Sequence, residues 1–522
     1  MRRQVSLRIR CPPFSLEGLS RQYRDTPLGL KFYRRTKPAY SDTLFVVGAM
    51  NKRSSVKSRR VTDPWVAEWF EARNITVQGY AKAQITYSNV MSRWYRYSRS
   101  QEMAENKAAW QESYYFMKRE FGAYVLGSRV VSWQEVVDNI DPMTSPGAPW
   151  NVTYHDKSFI EEDWFKVYLM KFWSDLEDGE PLALWNIFGK EEVLPTSKVE
   201  TDGCRALTGA PVEHVICQGR LCQDFNEKMY ASATAHASCV GFSEFHGGRN
   251  QIVRRMEKHL DGWESDISGQ DASTKIQFFQ GTLQLRLESL RKEDRTVGNC
   301  IRMLKLINLM IFALAVDPQG EIWQSNGGNK SGQSNTVVDN TMNAFRVLAY
   351  AFVRLRPDDT YTYADFHESV AAFMYGDDAI WSVARKYQWF SGYKVAYVAY
   401  TELHILLKIP ENLPKSPRDL SFLSASTVSV DGVYVPYRPH EKFKASLLLM
   451  STKPPSLAAT FERLMGLRVA HWACPESNRL ANLMFRDLRN ELIVDRMDPL
   501  VAVVMRSWHS NQEMLQLYTG IE

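Results

Sequence analysis

The most chemically loaded feature of the sequence is a pair of adjacent carboxylates in an apolar setting. Tyr375-Gly376-Asp377-Asp378 separates two apolar runs, Val370 to Met374 and Ala379 to Val383, which read as the arms of a β-hairpin. Gly and Asp are ordinary turn residues, so the tetrapeptide alone could be an acidic turn. Carboxylates side by side at an apolar hairpin tip are nevertheless costly unless a cation neutralises them. Mg²⁺ suits the task, because it takes hard oxygen ligands and is usually held by one or two carboxylates plus substrate phosphates.

A second carboxylate pair lies upstream. Asp266 falls in a short predicted strand, Trp263 to Ser268, and Asp271 follows across Ile267-Ser268-Gly269-Gln270. If that strand pairs with the hairpin, Asp266 and Asp377 can clamp two metal ions roughly 3.5–4 Å apart, activating an attacking hydroxyl and stabilising a leaving pyrophosphate. Asp271 is displaced past the turn, too far to ligate and better placed to contact a sugar. Between the pairs runs Gly327-Gly328-Asn329-Lys330-Ser331-Gly332-Gln333, a glycine-rich loop entering a predicted helix. Thr336 and Asn340 are four apart and share one helix face, where they could hydrogen-bond a ribose together with Asp271. Helix capping by Ser331 or Ser334 explains part of the loop, and the GxxxxGK[ST] spacing of a Walker loop does not occur in it.

In order and spacing, a DxxxxD pair, an SGxxxTxxxN element and a GDD resemble motifs A, B and C of the RNA-dependent RNA polymerases of positive-strand RNA viruses. GNKSGQSNTVVDN, Gly328 to Asn340, resembles potyvirus-like polymerases most, with astrovirus-like ones next. The resemblance extends upstream. Thr144-Ser145-Pro146-Gly147-Ala148-Pro149-Trp150 is similar to motif G, which implies template contacts at Ser145 and Gly147. Lys190-Glu191, Lys198-Val199-Glu200 and Arg205 resemble motif F, which implies that Lys190, Lys198 and Arg205 face the incoming triphosphate. Cations converging there would neutralise charge in ground and transition states; without the resemblance, the same residues read as a solvated face. Downstream, Leu413 to Asp419 stands where the family keeps its motif D lysine, a general acid for pyrophosphate; Lys415 is the expected residue and Lys408 the alternative. Phe422-Leu423-Ser424 resembles motif E, the primer grip. Two positions depart from the pattern: Gly203 stands where many relatives carry another lysine, and Gln270 where an aromatic residue is common.

The resemblance implies a right-hand α+β polymerase. Asp266, Asp377 and Asp378 would hold two Mg²⁺ ions, with Mn²⁺ a substitute. Asp271, Ser331, Gly332, Thr336 and Asn340 would bind the nucleotide, with Ser331 and Gly332 flexing during translocation. Implied partners are an RNA template and primer, NTPs, a protein primer and other viral replication proteins. The implied location is the host cytoplasm, at membrane-associated replication complexes. A reverse transcriptase shares the carboxylate arrangement, but the SGxxxTxxxN element points to RNA synthesis. A scaffold that had lost catalysis should lose carboxylates first, and all three are present.

The elements that must position these residues are of mixed kind. Helical periodicity runs from Glu102 to Tyr124 and from Phe159 to Leu176, and Thr336 to Leu355 reads as a long buried helix. Ile311 to Val316, a turn at Asp317-Pro318-Gln319-Gly320, and Glu321 to Gln324 read as a second hairpin. Past Pro436 the chain reads as helical. The absence of regular βαβ alternation argues for α+β. The expected division is a basic N-terminal extension and fingertips over 1–100, fingers over 101–262, a palm over 263–435 with a fingers insertion at about 282–318, and a helical thumb over 436–522.

Composition bounds the rest. At 522 residues and 44% hydrophobic, the chain can bury a large core, as several domains or one multi-lobed enzyme. Seven cysteines without a CxxC argue against a zinc ribbon or a disulfide scaffold and favour a reducing compartment. The longest apolar run, Leu306 to Val316, contains Asn308 and falls short of the roughly 20 residues a spanning helix needs. The net charge of +5 conceals an asymmetry. Residues 1–60 hold 15 Lys and Arg against Glu17, Asp25 and Asp42, and so carry +12; the remainder carries −7. A basic arm suggests a polyanionic partner, nucleic acid or an anionic membrane, unless it is simply a solvated extension.

Overall fold

The acidic turn joins two strands, Val370–Tyr375 and Asp378–Val383, of a four-stranded antiparallel sheet. Asp261–Ile267 pairs along the second arm, and Leu407–Lys408 closes the other edge. Both faces of the hairpin are buried, which is why its arms read as continuous apolar runs rather than an alternating pattern. Ala372, Met374, Ala379 and Trp381 pack into one core with the helices Thr336–Leu355 and Gly392–Leu403, whereas Phe373 and Ile380 pack into another with Ile252, Met256 and Phe422. The computed structural model describes residues 8–35, 37–51, 56, 61–451, 454, 456–494 and 508–520.

Helix Thr336–Leu355 spans the range its sequence predicts and is buried over most of its length. The helix expected from Glu102 starts instead at Lys107, because the Asn106 side chain accepts from Ala109 N and caps it there. The helix expected from Phe159 is preceded by a 3₁₀ turn, Ser158–Glu161, and runs over Asp163–Asp178. The apolar run ending at Val316 is divided between two elements: helix Val297–Ile311 takes its first half and strand Leu314–Val316 its last residues. An unbroken apolar stretch carries no periodicity to mark that change.

That strand belongs to a six-stranded sheet whose order is Phe32–Tyr33, Leu44–Met50, Glu321–Ser325, Leu314–Val316, Leu184–Gly189 and Ala206–Gly209. The N-terminal segment is therefore built into the molecule. Arg35 and Lys37, part of the basic arm, pair with the fully buried Glu321 at 3.1 and 2.6 Å, which consumes two of its charges. Arg2, Arg3 and every basic residue from Lys52 to Arg60 lie outside the described residues.

Beyond Pro436 the structure is not wholly helical. Val433–Tyr437 pairs with Ser426–Val430, and Leu449–Met450 pairs with Val61–Thr62. Helices His440–Leu448, Leu457–His471 and Pro475–Val494 share a core with Val66, Trp69 and Phe70 of the N-terminal helix Pro64–Glu71. Asp63 fastens that helix: it caps Val66 N and accepts from Thr460 Oγ1 at 2.7 Å and the Arg463 guanidinium at 2.6 Å. All seven cysteines are free thiols. Among the described residues, no helix is long and apolar enough to cross a membrane.

Candidate active site

Strand register brings the two acidic motifs together. Asp378 lies opposite Asp266, and Ile267 N donates to Asp377 O across the turn at 3.3 Å. Gly376 has φ +64° with open space around it, so the turn needs glycine for its backbone conformation rather than for room. The turn is pinned from behind by the long helix, where Thr341 Oγ1 accepts from Gly376 N at 2.9 Å. Burial raises the pKa of Asp377, and the charge of the adjoining Asp266 raises it further. Burial, then the charges of Asp377 and Asp266, push Asp378 up to about 6.

This donor set fits a hard divalent cation: neighbouring carboxylates on paired strands, with the ionised forms of Asp377 and Asp378 disfavoured until positive charge arrives. The three aspartates are not equivalent, however. Leu423 N donates to Asp378 Oδ2 at 2.6 Å, so Asp378, expected as a third ligand, is engaged by the backbone. Among the described residues no three Asp, Glu, His or Cys side chains converge to hold an ion unaided. Asp266 and Asp377 remain as the pair that the Leu423 backbone does not engage, matching the one or two carboxylates on which Mg²⁺ with substrate phosphates usually relies. Leu423 and Ser424 both occupy the left-handed region, with φ of +54° and +59°, a conformation that non-glycine residues hold only when the surroundings impose it. The fully buried Arg249 imposes it, donating to Phe422 O, Ala425 O and Thr427 Oγ1 at 3.2, 2.6 and 3.0 Å.

The two candidate lysines stand at different distances from Asp266. Lys415 exchanges backbone hydrogen bonds with Gly262, four residues along the strand from Asp266 and so about 13 Å away at the usual strand rise. Its Nζ is committed to Glu411 at 2.8 Å and Glu264 at 3.3 Å, and these raise its pKa. Lys408 instead lies in register with Asp266, its Nζ 3.1 Å from Asp266 Oδ2.

Beside the carboxylates, Asn340 Nδ2 donates to Asp271 Oδ1 at 2.8 Å. Burial pushes Asp271 up to about 6, although Asn340 opposes the shift. Gln270, the departure from an aromatic, donates to Asn340 O at 2.8 Å and thereby ties the two segments together. Thr336 does not present a free hydroxyl: its Oγ1 lies 3.0–3.1 Å from the carbonyls of Lys330, Ser331 and Gln333. Ser331 and Gly332 are docked on the strand Ala206–Gly209. Ser331 N donates to Thr208 Oγ1 at 3.0 Å, and a Cβ on Gly332 would stand 2.3 Å from Thr208 O. Lys330 is fully buried, donating to Gly327 O at 2.6 Å and Ile311 O at 3.2 Å over the Tyr97 ring; burial pushes it down to about 7.

Two of the three expected phosphate-binding cations share one acid. Glu192 accepts two guanidinium N–H bonds from Arg205 and lies 3.9 Å from Lys190 Nζ. Arg205 also feels the charges of Asp377 and Asp271. Lys198 is exposed on helix Thr196–Asp202, with no ion pair among the described residues. Gly203 ends that helix at φ +69°, where a Cβ would collide with the Asn89 amide at 2.1 Å, so a lysine could not replace it without rearrangement. In the upstream loop Ser145 is exposed, whereas Gly147 is buried, with a Cβ position 2.2 Å from Ala210 O. Its glycine is explained by that close approach and not by an open face toward a template.

Thr341, Arg249, Arg99 and the backbone contact of Leu423 with Asp378 escape sequence reasoning, which marked Leu423 only through its resemblance to motif E. Arg99, from the N-terminal segment, donates to Ser268 O at 3.0 Å and so holds the turn between Asp266 and Asp271. Thr341 adjoins Asn340, so adjacency to a singled-out residue was the available signal. The other three act through backbone carbonyls, backbone N–H groups or distant segments, which leave no local pattern.

A four-stranded palm carrying facing acidic strands, a sheet-bearing fingers region and a helical thumb define a right-hand polymerase. A family model described as "Viral RNA-dependent RNA polymerase" matches residues 71–451. The chain belongs to that family. It is 29% identical over 269 residues to a genome polyprotein of Bean common mosaic necrosis virus (strain NL-3) and 30% identical over 269 residues to one of Zucchini yellow mosaic virus (strain Reunion Island); each match covers 51% of this chain and 8% of the polyprotein. For Plum pox potyvirus (strain El amar) the values are 28% over 270 residues, 51% and 17%. The matched segment is thus a small part of those polyproteins. Among solved structures, a Sicinivirus 3Dpol RNA-dependent RNA polymerase superposes with a TM-score of 0.68 at 16% identity, covering 91% of this chain and 98% of the other, which establishes the shared fold.

Proposed function

We propose that this chain synthesises RNA on an RNA template, transferring ribonucleotides from NTPs to a primer 3′-hydroxyl. The observation that carries the reading is the strand pairing that sets Asp266 against the Asp377–Asp378 turn, beside a hydrogen-bonded Asp271–Asn340 pair. Asp266 and Asp377 would hold divalent cations, Mg²⁺ or in its place Mn²⁺, with Asp378 orienting the turn through Leu423. Bound there, the cations would acidify the 3′-hydroxyl and offset charge on the triphosphate. Arg205, Lys190 and Lys198 would steady the phosphates on the fingers side. Lys408 replaces Lys415 as the candidate proton donor to pyrophosphate, since its ammonium lies at the reacting end of the strand. Asp271 and Asn340 would read the ribose 2′-hydroxyl, and exposed Ser145 would border the template path.

The boundaries proposed above follow the same logic, with one addition: segments 61–73 and 80–82 join the thumb and fingers through strand pairing and the Asp63 contacts. The polyprotein relatives support a role in viral replication within a host cell, and we extend this to cytoplasmic, membrane-associated complexes with a protein primer. The reading is tested by extending a labelled RNA primer on an RNA template in Mg²⁺ with rNTPs or dNTPs. Extension with rNTPs and little with dNTPs is expected. Equal or preferred use of dNTPs would make the protein a reverse transcriptase in function.

A further inference from the structure

Behind the Asp271–Asn340 pair runs a line of buried amides. Gln218 Nε2 donates to Gln333 Oε1 at 2.6 Å, Gln333 Nε2 to Asn329 Oδ1 at 2.5 Å, Asn329 Nδ2 to Asn340 Oδ1 at 2.9 Å, and Asn340 Nδ2 to Asp271 Oδ1 at 2.8 Å. The four amides are between 0% and 7% exposed, so water does not compete for these bonds. The direction of the line is fixed at both ends. Ser334 N donates to Gln218 Oε1 at 3.0 Å, and a backbone N–H can only donate, which turns the Gln218 amide nitrogen toward Gln333. At the far end an ionised carboxylate can only accept. Reversing any one amide would set N–H against N–H on one side and oxygen against oxygen on the other, each leaving buried groups unpaired.

We infer that this relay sets sugar selectivity, and that Gln218, in helix Val212–Ala231, is a positioning residue for ribose recognition although it touches no nucleotide. The inference rests on the reading of Asp271 and Asn340 as the ribose sensor. The relay holds the Asn340 carboxamide in one of its two orientations, nitrogen toward Asp271 and oxygen toward Asn329. The second carboxylate oxygen of Asp271 has no hydrogen-bond partner among the described residues and is left as an acceptor. A 2′-hydroxyl can donate to it, and a deoxyribose cannot. Were the Asn340 amide free to flip, its oxygen would face the Asp271 carboxylate, which would move away and lose the fixed acceptor position.

Gln218→Glu preserves shape and the acceptor for Ser334 N–H but replaces the amide donor facing Gln333 with an oxygen. The preference for rNTP over dNTP, taken as a ratio of kcat/KM, should fall about fivefold to tenfold, the scale of one lost neutral hydrogen bond. The loss should come mainly from improved dNTP use, with rNTP kcat nearly unchanged. Asn340→Ala should lower the same ratio, and adding Gln218→Glu to it should change nothing more. A reduced ratio in Asn340→Ala with an unchanged ratio in Gln218→Glu would overturn the relay and leave the ribose reading standing. An unchanged ratio in Asn340→Ala would overturn both. Equal losses with rNTP and dNTP would reduce Gln218 to a structural residue and so also overturn the relay. If Gln218→Glu does not fold, as judged by thermal melting, Gln333→Met interrupts the next bond and is read by the same ratio.

Discussion

Two neighbouring acidic regions of this palm are built on opposite principles. At the hairpin tip, Asp377 and Asp378 lie with Asp266, which Lys408 meets at 3.1 Å, and the ionised forms of Asp377 and Asp378 are disfavoured. At the adjoining pocket, Asp271 ends a line of amides in which successive side chains are hydrogen-bonded to one another. The first region is electrostatically incomplete, and on the proposed function cations and phosphates would balance it. In the second the protein fixes one carboxylate oxygen of Asp271 through Asn340 and leaves the other open among the described residues, so that on the proposed function it would read a ligand without reorganising. On the proposed function, reactive and discriminating roles would thereby be separated by a single turn, Ile267 to Gln270.

Substitutions that reverse either principle test the contrast. Asp377→Asn should lower single-turnover incorporation by at least about 10²–10³-fold, the scale of removing one preorganised electrostatic group. Because it relieves repulsion with Asp266, it should not lower the unfolding temperature measured without divalent cations. A clear drop would mean that the carboxylates stabilise one another. Lys408→Ala should slow the chemical step by about 10²-fold if it supplies the proton, and Lys415→Ala should slow it far less; the reverse order in rapid-quench measurements would restore Lys415. Thr341→Val leaves Gly376 N–H without its partner, so chemical denaturation should show a loss of about 1–3 kcal/mol.

The smallest effect concerns pH. Burial lowers the Lys330 pKa to about 7, well below the ordinary lysine value of about 10.4, so between those values the unfolded chain binds more protons than the folded one. Stability then rises with pH across that window. The stability of the parent relative to Lys330→Met should increase from pH 7 toward pH 10, and a flat difference in denaturation midpoints would show that Lys330 titrates normally.

How much of this was legible in the sequence depends on what holds each residue in place. Asp266, Asp377 and the Asp271–Asn340 pair were readable because turn chemistry and helix or strand periodicity place them, and these are local. Thr336 to Leu355 was bounded correctly because its apolar face is continuous and its end coincides with Pro357. Lys415 stands away from Asp266 because the path from Lys408 carries Pro410 and Pro414 and runs on along the neighbouring strand to Gly262, an irregular route no local pattern specifies. Gly147 and Gly203 were singled out for what family members do there, whereas tertiary close approach to Ala210 and Asn89 explains them. The amide relay was invisible because Gln218 is over a hundred residues from Gln333, and an isolated glutamine in a helix has no distinguishing neighbour.

The most direct test of the central claim is single-nucleotide extension of an RNA primer on four RNA templates that differ only at the first templating base, with each rNTP supplied alone in Mg²⁺. The account predicts that the parent protein adds only the complementary nucleotide on each template, and that Asp377→Asn binds the same duplex without adding any. Addition independent of the templating base, undiminished addition by Asp377→Asn, or RNA binding by the parent without addition would contradict it.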